Sequence, residues 1–250
     1  SPAWIAMFPG PPRELHPMFL KQFIPWLAEH LPLAESFACR ILRTSGLGES
    51  LVEERLQSLL KDLTGQGLEI GYCARSGEVD IRFVAMGSRA NALVDEACRR
   101  TYADLGDLIH SEGKRSLESA LVEALRQKSM RLALAESCTG GFIAHQITNV
   151  AGASDVFHAG VVSYANQAKV HLLGVDDETI DQYGAVSEET AKAMVEGVLA
   201  ETEADVALAV TGIAGPSGGT PEKPVGTVFL GLADRHETHI FRRLNPYDRE

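Results

Sequence analysis

The sequence predicts an α/β protein: a three-layer α/β C-terminal domain with a mixed sheet, preceded by a small α+β domain. Three observations carry this. Beyond residue 131, the apolar runs LALAE, AGVVSYA and DVALAVTG alternate with helix-period stretches, the pattern of a sheet covered on both faces. The last two strand-like runs, VGTVFLGLA and THIFRRL, follow each other with no helix between them, which makes that sheet mixed. Between these runs and the N-terminus, two short strands meet at Ser76–Gly77 with a helix pattern on either side, an α+β arrangement.

Taken in order, residues 1–33 open with AWIAMF, which reads as a strand stopped by Pro9-Gly10-Pro11-Pro12. Leu15, Met18, Phe19, Phe23, Trp26 and Leu27 then follow a helical period, and Pro17 and Pro25 predict a broken helix. One strand and one helix make no domain, so this segment reads as the tail of a larger one, with apolar surface exposed at Phe19, Phe23 and Trp26. Residues 34–113 form the second domain. FACRILRTSG reads as a strand, Glu49 to Leu63 as one amphipathic helix, LEIGYCARSG and EVDIRFVAMG as a hairpin, and Ser88 to Asp104 as a long helix. Alternation of Val79, Ile81 and Phe83 with Asp80 and Arg82 gives that strand one wet face. Residues 114–250 form the third domain, with 115–129 as a connecting helix. LALAE turns through Ser137–Gly141 into a helix carrying Phe142, Ile143, Ile147 and Val150. Ser187 caps a strong helix whose first turn holds Glu188 and Glu189. The final two strands read as a hairpin across Asp234–Glu237.

Charge and cysteine content exclude several classes. Residues 131–250 carry 8 Lys+Arg against 17 Asp+Glu, a net of −9, while the preceding 130 residues are nearly balanced. A basic footprint for nucleic acid is absent. No apolar run reaches the about 18–20 residues that span a bilayer. The start lacks a signal-peptide pattern and an initiator Met, so the chain reads as a fragment of a cytoplasmic protein. Cys39, Cys73, Cys98 and Cys138 lie far apart without CxxC, which predicts neither a zinc site nor a disulfide framework.

Four polar residues fall at or just beyond strand ends: Ser137, Tyr164, Lys169 and Thr211. In an open α/β sheet, ligands bind beyond the carboxyl ends of the strands, so these residues are expected to converge. Ser137 precedes a helix N-terminus, and Gly140 and Gly141 allow close approach to the backbone. Each has a plainer role: Ser137 as a cap, Thr211 as turn chemistry, Lys169 as a solvated helix residue, Tyr164 as core. The stretch GIAGPSGGTPEKPVG, running from Gly212 through Gly215 and Lys223 to Gly226, favours function, because long Gly- and Pro-rich loops in compact domains are usually functional. His236 and His239 would face opposite sides of a strand, and Cys138 has no implied His partner.

The stretches LALAESCTGGFIAHQITNVAGAS, GVVSYANQAKVHLLGV, YGAVSEETAKAM and VTGIAGPSGGTPEKPVGTVF occur in the order of the CinA family's C-terminal domain, which they resemble. RILRTSGLGESLVEERL and VDIRFVA resemble the family's KH-like middle domain, and MFPGPPRELHPMF resembles the close of its molybdopterin-binding-like N-terminal domain. Most of that first domain is missing here, and the metal-dependent ADP-ribose pyrophosphatase activity linked to it is not carried over. Family members also continue past YDRE into a final helix.

The resemblance implies hydrolysis of nicotinamide mononucleotide to nicotinate mononucleotide and ammonia, with no cofactor and no metal. Ser137 would be the nucleophile and Lys169 its base, with Tyr164 orienting the base or relaying the proton. Amides around Thr139–Gly141 would bind an oxyanion or a phosphate. Glu136, Thr139, Gly140, Gly141, Thr211, Gly212, Gly215, Lys223, Gly226 and Arg249 would form the substrate site. The expected partner is the small-molecule substrate alone, with neither nucleic acid nor membrane, in a homodimer or higher homo-oligomer. Two alternatives stay open: a non-enzymatic nucleotide-sensing or protein-partner module linked to competence and DNA damage, and an amidase acting on another nucleotide.

Overall fold

A computed structural model of the protein describes residues 4–32, 35–75 and 77–245. The chain divides into two compact units, Ser1–Lys114 and Arg115–Glu250.

In the first unit, residues 4–9 are not the expected strand, because among the described residues no strand pairs with them. They fold back on the helix that follows. Trp4 meets Trp26 edge-on at 5.2 Å and Phe8 meets Phe23 at 4.9 Å, so Phe23 and Trp26 are half-buried. The helix is not broken either. It runs through α1 (Pro12–Met18) and α2 (Ile24–His30), with a π turn at Phe19–Phe23 between them. Pro17 and Pro25 each withdraw an N–H, and the backbone between them widens instead of stopping.

The α+β part is a four-stranded antiparallel sheet in the order β2-β3-β1-β4. Its strands are β1 (Phe37–Ser45), β2 (Glu69–Arg75), β3 (Glu78–Met86) and β4 (Ile109–Glu112), the last not anticipated from sequence. Arg75 pairs with Glu78, so β2 and β3 form the hairpin; Ser76 lies outside the described residues. Period-2 alternation sends Val79, Ile81, Phe83 and Ala85 inward. They meet Leu93, Val94, Ala97 and Cys98 of α5 (Ala90–Leu105), spaced three and four apart on one helical stripe. The expected single helix over 49–63 is two, α3 (Glu49–Leu59) and α4 (Lys61–Thr64), parted where Leu60 leaves helical geometry. No glycine lies at that junction, so the backbone-clamping GxxG of RNA-binding KH domains has no counterpart there.

The second unit is a five-stranded mixed sheet in the order β6-β5-β7-β8-β9. β5 (Leu132–Glu136), β6 (Phe157–Val162) and β7 (Val206–Gly212) are parallel, β8 (Thr227–Asp234) pairs antiparallel with β7, and β9 (Thr238–Leu244) pairs antiparallel with β8. β5 is buried throughout, as a strand covered on both faces must be. Leu132 and Leu134 face Val122 and Leu125 of α6 (Leu117–Gln127) and Ile147 of α7 (Phe142–Thr148). Residues 115–129 therefore contribute to the core and are more than a connector. Ala133 and Ala135 face the opposite layer: Leu173 of α8 (Asn166–Leu173), Ile180 of α9 (Asp177–Tyr183), and Met194, Val195 and Val198 of α10 (Glu188–Thr202). The short α9 was not anticipated, and Lys169 of α8 is buried where a solvated helix residue was its plainer reading. Ser187 caps α10 by accepting the Thr190 N–H at 3.1 Å. Among the described residues, no helix is long and apolar enough to cross a membrane.

Candidate active site

The three parallel strands end on the same side of the sheet, and the polar residues beyond them meet there. The backbone of β5 is held from both flanks to its last residue: the Ser163 N–H donates to Glu136 O at 2.8 Å, and the Ser137 N–H to Val210 O at 2.9 Å. Alternation along the strand then sets two directions. Ser137 shares the parity of Ala133 and Ala135 and faces the α8 layer, while Glu136 shares that of Leu132 and Leu134 and faces α7.

On the α8 side, Lys169 Nζ donates to Ser137 Oγ at 3.0 Å, to Ser163 O at 2.8 Å and to Tyr164 O at 3.5 Å. Lys169 is 1% exposed. Among the described residues no carboxylate lies within ion-pair distance of its amine, and burial pushes its pKa below the ordinary lysine range. A neutral amine touching a buried serine hydroxyl can remove that hydroxyl's proton.

Ser137 and Lys169 open onto a cavity of about 320 Å³. Tyr164, Thr211, Gly212 and Gly215 line it too, together with Asn166 and Ser217, which sequence reasoning missed. Asn166 follows the β6 end within four residues, and the strand-end rule could have found it. Tyr164 is placed otherwise than expected. Its carbonyl, not its phenol, meets Lys169, and its ring stands 61% exposed at the mouth. Ser163, also missed, provides the shorter acceptor for the lysine. Thr211 is buried, and its hydroxyl donates to Ala185 O at 2.7 Å, holding the α9–α10 connection against β7. Gly212 is required by close packing: a Cβ there would lie 3.1 Å from Cys138 Sγ and 2.9 Å from Val228 Cγ2. Cys138 is half-buried, and burial raises its thiol pKa, which argues against a thiolate nucleophile.

Several expected substrate contacts lie elsewhere. Glu136 points away from the cavity, and its carboxylate accepts the N–H groups of Gly141 (3.1 Å), Ile143 (3.1 Å) and Ala144 (2.8 Å). With the Gly140 N–H on Ser137 O at 3.1 Å, neither Gly140 nor Gly141 has an amide to offer. The amides of Cys138 and Thr139 turn toward the Cys138 sulfur. Thr139, Gly140 and Gly141 do not line the cavity. Lys223 donates to Tyr183 O at 2.9 Å, so its ammonium braces the glycine-rich loop against the end of α9. Gly226 accepts from the Asn245 N–H and donates to Ile213 O, closing the base of that loop with a φ of +90°. Arg249 lies outside the described residues.

A larger groove of about 650 Å³ beside α3 and β2 is lined by Glu53, Ser58, Lys61, Thr64 and Tyr72; there the Thr64 hydroxyl donates to the Lys61 carbonyl, and among the described residues no hydroxyl is paired with the Lys61 amine as Ser137 is with Lys169. Among the described residues, no group of His, Cys, Asp and Glu could hold a metal ion.

A family model described as the CinA C-terminal domain matches residues 114–250, and one described as the damage-inducible protein CinA KH domain matches residues 39–110. A CinA-like protein of Akkermansia muciniphila is 48% identical over 244 residues, covering 97% of this chain and 57% of that protein. A CinA-like protein of Kosmotoga olearia is 41% identical over 239 residues, 94% of this chain and 57% of its own length. The chain thus spans a little over half the length of these curated relatives. Among solved structures, a competence/damage inducible protein of Agrobacterium tumefaciens matches with a TM-score of 0.52 and 42% identity over 53% of this chain and 81% of that one. A CinA superfamily protein of Escherichia coli matches with a TM-score of 0.52 and 34% identity over 54% and 78%.

Proposed function

The chain belongs to the CinA family, and from that premise we propose that its second unit is a serine amidohydrolase that converts nicotinamide mononucleotide to nicotinate mononucleotide and ammonia. The observation that carries this reading is the buried Lys169 amine 3.0 Å from Ser137 Oγ, with only neutral oxygens as its partners. An amide is a weak electrophile, so its hydrolysis needs an activated nucleophile, stabilisation of the oxyanion and a proton for the leaving nitrogen.

The residues present supply all three. Ser137 Oγ attacks the carboxamide carbon as its proton passes to Lys169 Nζ. The amide of Cys138, the residue after the nucleophile and itself on the cavity wall, serves the developing oxyanion. Lys169 then gives the proton to the leaving nitrogen, the C–N bond breaks, and ammonia departs from an acyl-Ser137 ester. Water, deprotonated by the neutral Lys169, attacks the ester, and the acid leaves as Ser137 recovers its proton. The carbonyls of Ser163 and Tyr164 hold the amine in place through both halves.

The cavity, about 320 Å³, falls within the range of small-molecule sites, roughly 300–1,000 Å³. Asn166, Ser217 and the glycine-rich loop give it neutral polar walls, suited to a sugar and phosphate in a unit that is acidic overall. Ammonia release from nicotinamide mononucleotide, measured beside the dinucleotide and nicotinamide riboside, tests the reading. No release from any of them would remove the amidase function and favour a nucleotide-sensing or partner-binding module. Release only from another nucleotide would replace the substrate.

A further inference from the structure

The Glu136 carboxylate is 2% exposed, sits one residue before the proposed nucleophile, and takes no part in the chemistry above. It collects three N–H groups at the start of α7. Those amides have no partner within the helix, and a negative charge there also offsets the positive end of the helix dipole. The four residues between Glu136 and Gly141 form a closed turn. One end is fixed by the β5 backbone pairing with Val210 and Ser163, the other by the Glu136 side chain bonding back to the Gly141 N–H. Ser137, Cys138 and Thr139 lie inside that closure.

We propose that Glu136 is a positioning residue: its carboxylate fastens the Ser137–Gly141 turn, and thereby holds the Ser137 hydroxyl against Lys169 and Cys138 at the cavity wall. Without it, the strand would still deliver Ser137 to the right place, but the turn after it would be free to rotate the hydroxyl and the Cys138 amide out of line. Misplacement of reacting groups by about 1 Å costs on the order of a hundredfold in rate. A plain helix cap would contribute to stability alone.

The inference rests on the serine amidohydrolase reading, and its test separates the two. Glu136→Gln keeps the shape but sets an NH₂ against a backbone N–H in either orientation, since Oε2 accepts from Gly141 and Ile143 and Oε1 from Ala144. A fluorophosphonate probe reads the nucleophile without the substrate: Ser137 Oγ bonds to phosphorus, fluoride leaves, and Lys169 takes the proton. Probe labelling of Ser137, followed by mass spectrometry, should slow about a hundredfold in Glu136→Gln, with kcat for ammonia release falling in parallel and KM little changed. Ser116→Ala, which removes the cap of α6 away from the site, is the stability control. It should lower Tm and leave labelling at the wild-type rate. If Glu136→Gln does not fold, Glu136→Asp, which keeps the charge but is too short to reach all three amides, takes the same measurement. Wild-type labelling in a folded Glu136 variant would overturn the positioning role. Wild-type protein labelled at Ser137 but inert toward nicotinamide mononucleotide would overturn the substrate and leave the positioning role in place. Wild-type protein not labelled at Ser137 would overturn both.

Discussion

Lys169 Nζ lies 3.0 Å from Ser137 Oγ, although the two residues are 32 apart in sequence and sit on opposite sides of the β5–β6 crossover. The contact is buried, so the lysine cannot satisfy itself with water and the serine cannot swing away. Replacing Ser137 by Ala removes the nucleophile and keeps the cavity. Ammonia release should fall by about a thousandfold or more, while nucleotide binding by calorimetry stays within about tenfold. Turnover near the wild-type rate in Ser137→Ala would exclude the acyl-enzyme route.

Burial lowers the Lys169 pKa, and this has two consequences of known sign. The base works as the neutral amine, so kcat/KM should rise with pH and level off below the ordinary lysine range. Lys169→Arg, whose guanidinium stays charged, should be inactive across that range. Stability follows the same group. Between its lowered folded pKa and the ordinary value of the unfolded chain, the unfolded state binds more protons, so the Lys169 contribution to stability grows as pH rises through that window. Tm of the wild-type protein relative to Lys169→Met should therefore increase toward alkaline pH. A difference that is flat or falls with pH would show that the amine is not held neutral.

The sequence made the strand-turn-helix at Ser137 legible because an apolar run, a small polar turn and a helix period follow one another without a break. Residue patterning alone could not make Lys169's burial legible, since lysine is normally at the surface and α8 is too short to show a clear apolar stripe; only the base role implied by the family resemblance asked for a desolvated lysine. The Glu136 assignment failed for a reason that was available in advance: alternation along β5 sends neighbouring side chains to opposite faces, so Glu136 and Ser137 cannot both line one cavity. The Ser163 and Tyr164 carbonyls were invisible in principle, because a backbone acceptor leaves no mark in side-chain identity. Gly226 looked like part of a ligand-binding loop, yet its positive φ serves the closure of that loop on Ile213 and Asn245.

Thr211 ties the cavity wall to the sheet through a 2.7 Å bond to Ala185 O. Thr211→Val keeps the shape and leaves that carbonyl without its donor, at a cost of about 1–2 kcal/mol by urea denaturation. Ala185 and Val186 line the cavity, so a looser wall should raise KM more than it lowers kcat. An equal fall in kcat with unchanged KM would move Thr211 from the wall into the chemistry.

Gly212 has no room for a side chain. A Cβ would meet Val228 Cγ2 at 2.9 Å, Thr227 O at 3.0 Å and Cys138 Sγ at 3.1 Å. The valine can yield, but the Thr227 carbonyl belongs to β8 and cannot move without straining the sheet. Relief therefore falls on Cys138, the residue next to Ser137. Gly212→Ala should cost about 1–3 kcal/mol of stability. It should also lower kcat beyond what the loss of folded protein explains, because displacing Cys138 moves both the nucleophile and an amide proposed to face the oxyanion. Cys138→Ala made in the Gly212→Ala background removes the clashing sulfur and should restore part of both losses. If the double variant is no better than the single, the strain runs through β8 instead, and Gly212 is a packing residue of the sheet with no bearing on the serine.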